Sequence, residues 1–467
     1  MTIQLNINDK NIFHVKNILN ICGNFKSFVV KYSYKFECCL KGYGLMPDII
    51  KKEIQNNINL YYIPDKKYKT VSMSVFLHRK LSRVEATYNA LLSKILRRGT
   101  QKHHDISELN LYAEELYGTL YDVNITKKAY AQSIVSTVNF LSDTYLPESI
   151  ELKGTEFMLD LIFKPYVKDG AFDTSYLEVE KQNLKDDIEG LVNDKRSYAN
   201  FRCIEEMCKG EDNAVFEFGY LEDIDAINSE NLYEHYEKII TTSPVDIFVV
   251  GSIDVEAVVH YVKNYFADFG FNIKPIAPCR IDYSKPKNVR YVQDEFDVNQ
   301  GKLAMGLRTS ISIDDDLYYA LLLGNSIFGA GAHSRLFNTV REQMSLCYYA
   351  SSRLDKFRAI MLISSGIEFD NFEKARDEII RQLENISKGD FTDEEFAVSR
   401  DFVINSYKSY KDSPYLMKDY YLGHCFSSNN DTIDEAIEKI SKITKEDVVA
   451  AMSNVSLDTV YFLKGRE

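Results

Sequence analysis

The spacing of apolar and polar positions changes repeatedly along this chain, and each change predicts an element. Residues 55–63 and 70–77 alternate apolar with polar side chains and are rich in β-branched and aromatic types. With Pro64, Asp65 and Lys66 as a turn between them, they read as two antiparallel strands. At residue 82 the period lengthens: Ala86, Ala90, Leu91 and Ile95 recur at helical spacing, so a helix with a buried stripe is predicted over 82–97, stopped by Gly99. The same reading predicts a helix over 108–120 and strands over 121–126 and 131–140. Helices over 157–163, 176–208 and 229–240 follow, then a strand over 245–251. Strands and helices that do not strictly alternate favour mixed or antiparallel sheets covered by helices.

A second series repeats these events. A strand over 302–309 precedes a helix over 316–327 that ends in Gly329-Ala330-Gly331, then a helix over 334–342. Strands are predicted over 346–351 and 360–367, helices over 372–387, 393–410, 416–426, 433–440 and 445–452, and a closing strand over 459–465. TYNALLSKIL is similar to YYALLLGNSI, AYAQSIVSTVNF to FRAIMLISSGIE, and both series end on a strand that stops at glycine, VDIFVVG and TVYFLKG. Their common order over roughly 200 residues makes internal duplication the better account. The expected organisation is a first domain at 49–264, a linker at 265–286 marked by Pro275, Pro278 and Pro286, and a second domain at 287–467. Residues 1–48 have no place in the duplication. They read as an added strand or hairpin, as an arm, or as sequence upstream of the true start.

Composition narrows the function classes. A chain of 467 residues with 45% hydrophobic and 27% charged residues is a folded protein of more than one core. Its formal net charge of -13 argues against nucleic acid as the main partner. No stretch approaches the roughly 18 apolar residues of a membrane helix, and the start lacks the features of a signal peptide, so a cytoplasmic location is expected. The eight cysteines, including the adjacent Cys38 and Cys39, lack zinc-site spacing and read as reduced thiols, several of them core-filling. Neither a phosphate-binding loop nor a dinucleotide-binding glycine pattern is present. The histidines at 14, 78, 103, 104, 235, 260, 333 and 424 include no pair four residues apart. His103 and His104 are neighbours in a loop, where alternating exposure makes shared chelation awkward.

The segment GAGAHSRLFNTVREQMSLCYYASS, residues 329–352, resembles the C-terminal half of peptidase M16 proteins, the insulinase and mitochondrial-processing-peptidase-like family. EELYGTLYDV, YANFRCIEEMCK and KSYKDSPYLMKDYYL extend the resemblance, which points to non-catalytic members found in Firmicutes. It implies an α+β class with the duplicated M16 (LuxS/MPP-like metallohydrolase) fold, each half a mixed or antiparallel sheet with helices packed on it, the halves facing each other across a cleft. Catalytic members carry His-x-x-Glu-His on a helix: the histidines bind one zinc ion and the glutamate is general base to its water. Matching RRGT at 97–100 to the end of that helix puts the pattern on Ala90, Leu91, Leu92, Ser93 and Lys94. Alanine has no donor atom, serine is no carboxylate base, and an ammonium repels a divalent cation. The third ligand falls near Asp186 or Asp187, read either as a surface charge or as a partner for Lys94.

The expectation is therefore no metal bound by this chain, with zinc in a partner subunit. The family's Arg and Tyr of the second domain match Arg341 and Tyr348, which the resemblance implies assist catalysis in trans. The plainer reading pairs Arg341 with a neighbouring acid and counts Tyr348 among the 32 tyrosines of the chain. Gly329 and Gly331 read either as a substrate-contacting loop or as a turn before the following helix. The implied function is a non-catalytic subunit that positions a peptide opposite the zinc site of an M16 homologue with an intact His-x-x-Glu-His motif. The alternative is an inactive homologue acting as a structural or peptide-binding scaffold, associated with modification of the translation factor EF-P.

Overall fold

Two sheets with one strand order organise the chain. The computed structural model describes residues 49–277 and 285–466; the extension at 1–48, with Cys38 and Cys39, and the middle of the 265–286 segment lie outside the described residues. In the first sheet Ile50–Gln55 (β1), Ile58–Pro64 (β2), Thr70–Lys80 (β3), Leu120–Lys128 (β4), Ala131–Leu141 (β5) and Val245–Gly251 (β6) run in the order β1-β2-β6-β3-β5-β4. In the second, Arg290–Phe296 (β7), Gly301–Arg308 (β8), Cys347–Asp355 (β9), Ile360–Ile367 (β10) and Ser456–Gly465 (β11) run in the order β7-β11-β8-β10-β9. Substituting β7, β11, β8, β10 and β9 for β2, β6, β3, β5 and β4 superposes the two orders. Each sheet also has one parallel pair at the matching place, β2 with β6 and β7 with β11.

The strands predicted at 55–63 and 70–77 run antiparallel but are not neighbours, because β6 lies between them. VDIFVVG is buried at every position, and a strand buried on both faces takes a central place with partners on each side. The free edge of β2 pairs instead with β1 through a turn at Asn56-Asn57, where Asn57 takes φ 58°, a conformation that asparagine tolerates.

Helices cover these sheets: Ala86–Leu96 (α1), Ile106–Glu115 (α2), Glu151–Phe163 (α3), Thr174–Asn193 (α4), Lys195–Met207 (α5), Ser229–Thr242 (α6) and Val255–Tyr265 (α7). The second half contributes Tyr318–Phe328 (α8), the wide-turned Leu336–Gln343 (α9), Phe372–Ser387 (α10), Asp393–Tyr410 (α11), Pro414–Leu422 (α12), Ile433–Ser441 (α13) and Lys445–Met452 (α14). The single helix predicted at 176–208 is two, because Asp194 leaves the helical conformation and accepts from the amides of Arg196 and Ser197 to cap α5.

The halves exchange helices. α5 lies on the second sheet, where Ala199 and Cys203 pack with Ala304, Leu362, Tyr461 and Leu463. In return α12 lies on the first sheet, and Met417, Tyr420, Tyr421 and Leu422 share a core with Ile63, Phe76, Val135, Phe248 and Val250. Each such apolar side chain taken fully out of water stabilises the fold by about 1.5–3 kcal/mol. The residues from Ile49 to the C-terminus accordingly form one compact unit.

Candidate functional site

β3 is buried along nearly its whole length, and its alternation divides two environments. Val71, Met73, Val75 and Leu77 enter the apolar core of the first half. Ser72, Ser74, Phe76 and His78 take the opposite face. On that face His78 Nε2 donates to Asp246 Oδ2 at 3.1 Å, and Nδ1 lies 2.7 Å from Ser133 Oγ. Ser133, His78 and Asp246 are 1%, 3% and 6% exposed, and the edge of Phe426 closes over the imidazole. Burial pushes the Asp246 carboxyl up, but hydrogen bonds from His78 and Asn59 outweigh it and hold the group below the usual carboxylate range. The three residue types of a hydrolytic triad are thus sealed from substrate, and they satisfy one another as a structural network.

Beside this network a cavity of about 830 Å³ opens between the halves. One wall is a stripe of α1, Ala90, Ser93 and Lys94, continued by Arg97 just past its end, at the i, i+3, i+4, i+7 spacing of a helical face. α4 contributes Glu180, Asn183, Asp186 and Asp187; α12 contributes Tyr415, Lys418, Asp419 and Leu422. A further wall is β4, from Asp122 to Thr126, with Phe76 of β3 and Val135 and Thr137 of β5 behind it. Side chains of a strand alternate between faces, so five consecutive residues line one cavity by presenting the strand's edge. β4 is the outermost strand of its sheet among the described residues.

The positions of the degenerate motif lie in this wall, and they do not fit zinc. Ala90 offers no donor, Ser93 turns its hydroxyl back to the Ala90 carbonyl at 2.8 Å, and Lys94 Nζ donates to Asp187 Oδ2 at 2.6 Å. The lysine and the later carboxylate therefore face each other across the place where a metal would link the two helices. Among the described residues no group of three or more His, Cys, Asp or Glu side chains is gathered to hold a metal ion. His103 and His104 go separate ways, onto the rings of Tyr112 and Tyr166.

The other acids of the cavity are also engaged. Glu180 accepts from Arg98, Asp122 lies 3.5 Å from Arg97, Asp419 accepts from Lys128 at 2.5 Å and Asp186 from Gln182 at 2.7 Å. Lys418 differs. It is 6% exposed, its ammonium donates to Ser74 Oγ at 2.7 Å, and the rings of Phe76 and Tyr415 flank it with centroids at 5.9 and 5.7 Å. Burial pushes that ammonium down to about 8. Ser413 caps α12 by accepting from Leu416, and Pro414 occupies its first turn. Tyr68, donating to the Lys411 carbonyl, pins the approach to the helix on the first half.

Arg341 and Tyr348 do not line this cavity. Arg341, on α9, lies 3.5 Å from Glu342 and over the ring of Phe337. Tyr348, at the start of edge strand β9, is 58% exposed and donates to Glu368. Gly329 is buried against Ser352 and Leu336, leaving no room for a Cβ, whereas Gly331 is exposed with φ +119°. Reading the motifs alone missed Lys418, although it stands within the quoted segment KSYKDSPYLMKDYYL; its signal was a lysine at a buried helical position. Cys203, Cys208 and Cys347 are buried free thiols. No helix among the described residues is long and apolar enough to cross a membrane.

Residues 226–401 match the family model described as the peptidase M16 inactive domain. The chain is 35% identical over 419 residues to the "probable inactive metalloprotease YmfF" of Bacillus subtilis, covering 89% of this chain and 98% of that protein. A conserved protein of Enterococcus faecalis of known structure is 27% identical with a TM-score of 0.83, covering 90% of this chain and 99% of that one. A peptidase M16 inactive domain from Pseudomonas fluorescens shares the fold at 16% identity, with a TM-score of 0.74 and 90% and 99% coverage. The chain belongs to the peptidase M16 family. Its relatives place it with the inactive homologues.

Proposed function

We propose that this chain is the non-catalytic subunit of a two-chain M16 peptidase, in which it binds an extended peptide and holds it opposite a zinc site supplied by a homologue with an intact His-x-x-Glu-His motif. The observation that carries the reading is the edge of β4 running along a cavity whose metal positions are filled by the Lys94–Asp187 ion pair. A strand edge recognises peptide backbone by hydrogen bonding, with little demand on sequence. Copurification with such a homologue, followed by peptide cleavage and zinc analysis, tests the proposal. One zinc per heterodimer, carried by the other chain, together with turnover above that of the partner alone, is the expected result. No rise in turnover counts against it.

A second reading, a peptide-binding scaffold without part in turnover, is favoured by the placement of Arg341 and Tyr348 outside the cavity. Replacing Arg341→Ala and Tyr348→Phe together separates the two. Turnover reduced tenfold or more in an intact complex supports assistance in trans, and unchanged turnover supports the scaffold.

A further inference from the structure

We propose that Lys418 is a carboxylate anchor, holding an acidic group of an extended peptide that lies along β4; this rests on the peptide-binding reading above. Four cations line the cavity: Lys94, Arg97, Arg98 and Lys418. The first three face Asp187, Asp122 and Glu180. Lys418 alone among the four has no carboxylate within ion-pair distance among the described residues. Its neighbour Asp419 turns to Lys128 instead.

An ammonium so deeply buried has lost most of its hydration and receives in return the hydroxyl of Ser74, two ring faces and the longer-range attraction of Asp419, which does not offset the burial. A lysine carries three donors, so capacity remains for an acceptor entering from the cavity. The chemistry fits a single negative charge. A phosphate group carries a charge of about -1.5 to -2, more than one free ammonium matches, and the arginines of this wall are already engaged. The hydroxyl of Thr137, bonded to Ser74 at 2.8 Å, also lines the cavity and can turn toward a carboxylate oxygen. Two sources supply the same chemistry, an Asp or Glu side chain and the peptide's C-terminal carboxylate.

The test is equilibrium binding of the full chain to four extended peptides of one sequence. They pair a central Glu or Gln with a free or an amidated C-terminus. Wild-type chain is expected to bind one acid-bearing form at least tenfold tighter than the neutral, amidated peptide. The form that gains identifies the source. In Lys418→Met, with folding verified by circular dichroism, the preference falls below twofold, and Lys418→Arg restores part of it. Equal affinity for all four peptides on the wild type overturns the anchor while leaving peptide binding intact. A preference that survives in Lys418→Met also overturns it. Failure of every peptide to bind overturns the peptide reading, and the anchor with it.

Discussion

The exchanged helices α5 and α12 both cross from their own half onto the other's sheet, yet they meet different surfaces. α5 presents Ala199, Cys203 and Met207, each no more than 2% exposed, to small and apolar residues of the second sheet, and the buried guanidinium of Arg308 beside them is met by Glu211, Asp458 and the Met207 carbonyl. It approaches so closely that a Cβ on Gly306 would sit 2.5 Å from Met207 Sδ. α12 also contributes apolar residues, but it sets Lys418 against the hydroxyl of Ser74 and leaves a cavity beside it. The first contact is built as a protein interior is built. The second accepts a buried cation that has no carboxylate within ion-pair distance among the described residues, which costs stability. The two contacts thus meet their buried cations differently, with carboxylates at α5 and with a hydroxyl beside a cavity at α12.

The largest test breaks the packed side. Cys203→Asp puts a carboxylate at a position with 0% exposure and is expected to remove about 3 kcal/mol or more of stability. Urea unfolding of the two proteins measures it; a loss under about 1 kcal/mol would mean that the α5 contact is not dry. On the other side the sign reverses. Lys418→Met removes a buried cation and is expected to raise stability at pH 7 by on the order of 2 kcal/mol.

That gain has a pH dependence. Folding lowers the lysine from its ordinary value to about 8, so between about 8 and 10.4 the unfolded chain holds more protons at this site than the folded one. The cost of the buried charge is fully present below pH 8 and fades as pH rises through that window. The advantage of Lys418→Met over wild type should therefore be largest at pH 7 and clearly smaller at pH 9.5. An advantage independent of pH would contradict the placement of the charge.

The smallest effect belongs to the replaced metal position. Asp187 is 54% exposed and Lys94 24%, and water screens such a pair. Lys94→Met and Asp187→Asn should each cost less than about 1 kcal/mol, with a coupling near 0.5 kcal/mol in a double-mutant cycle. A coupling of several kcal/mol would make the ion pair a structural replacement for zinc rather than a surface contact.

Much of the fold was legible because its signals are local. Period identified β10, α10, α11 and α14 with the limits the structure shows, and the repeat of glycine-ended strands announced β6 and β11. At one rim of each sheet a strand escaped, β1 and β7, whereas β4 and β9 at the opposite rims were read. In β7 exposed and half-buried residues alternate with none buried, so RYVQDEF carries no apolar pattern to read. β1 fell in a stretch whose neighbours give no periodic cue. Pairing was the other loss, since β6 joins β2 and β3 from nearly two hundred positions away. The same division holds for the site. Ala90, Ser93 and Lys94 were named from the sequence, and Asp187 was one of two candidates for the later carboxylate, the one that the fold sets against Lys94. The free capacity of Lys418 could not be read, because Ser74 lies 344 residues away and only the folded chain shows that every other cation of the cavity is spoken for.

The central claim is that β4 offers its edge to an extended peptide, and amide hydrogen exchange of the full chain with and without saturating peptide tests it most directly. Strand addition predicts that every second amide within Leu120–Lys128, those pointing away from β5, slows by at least tenfold on binding. Unchanged exchange along β4 while the peptide is bound, or protection confined to other elements, would contradict it.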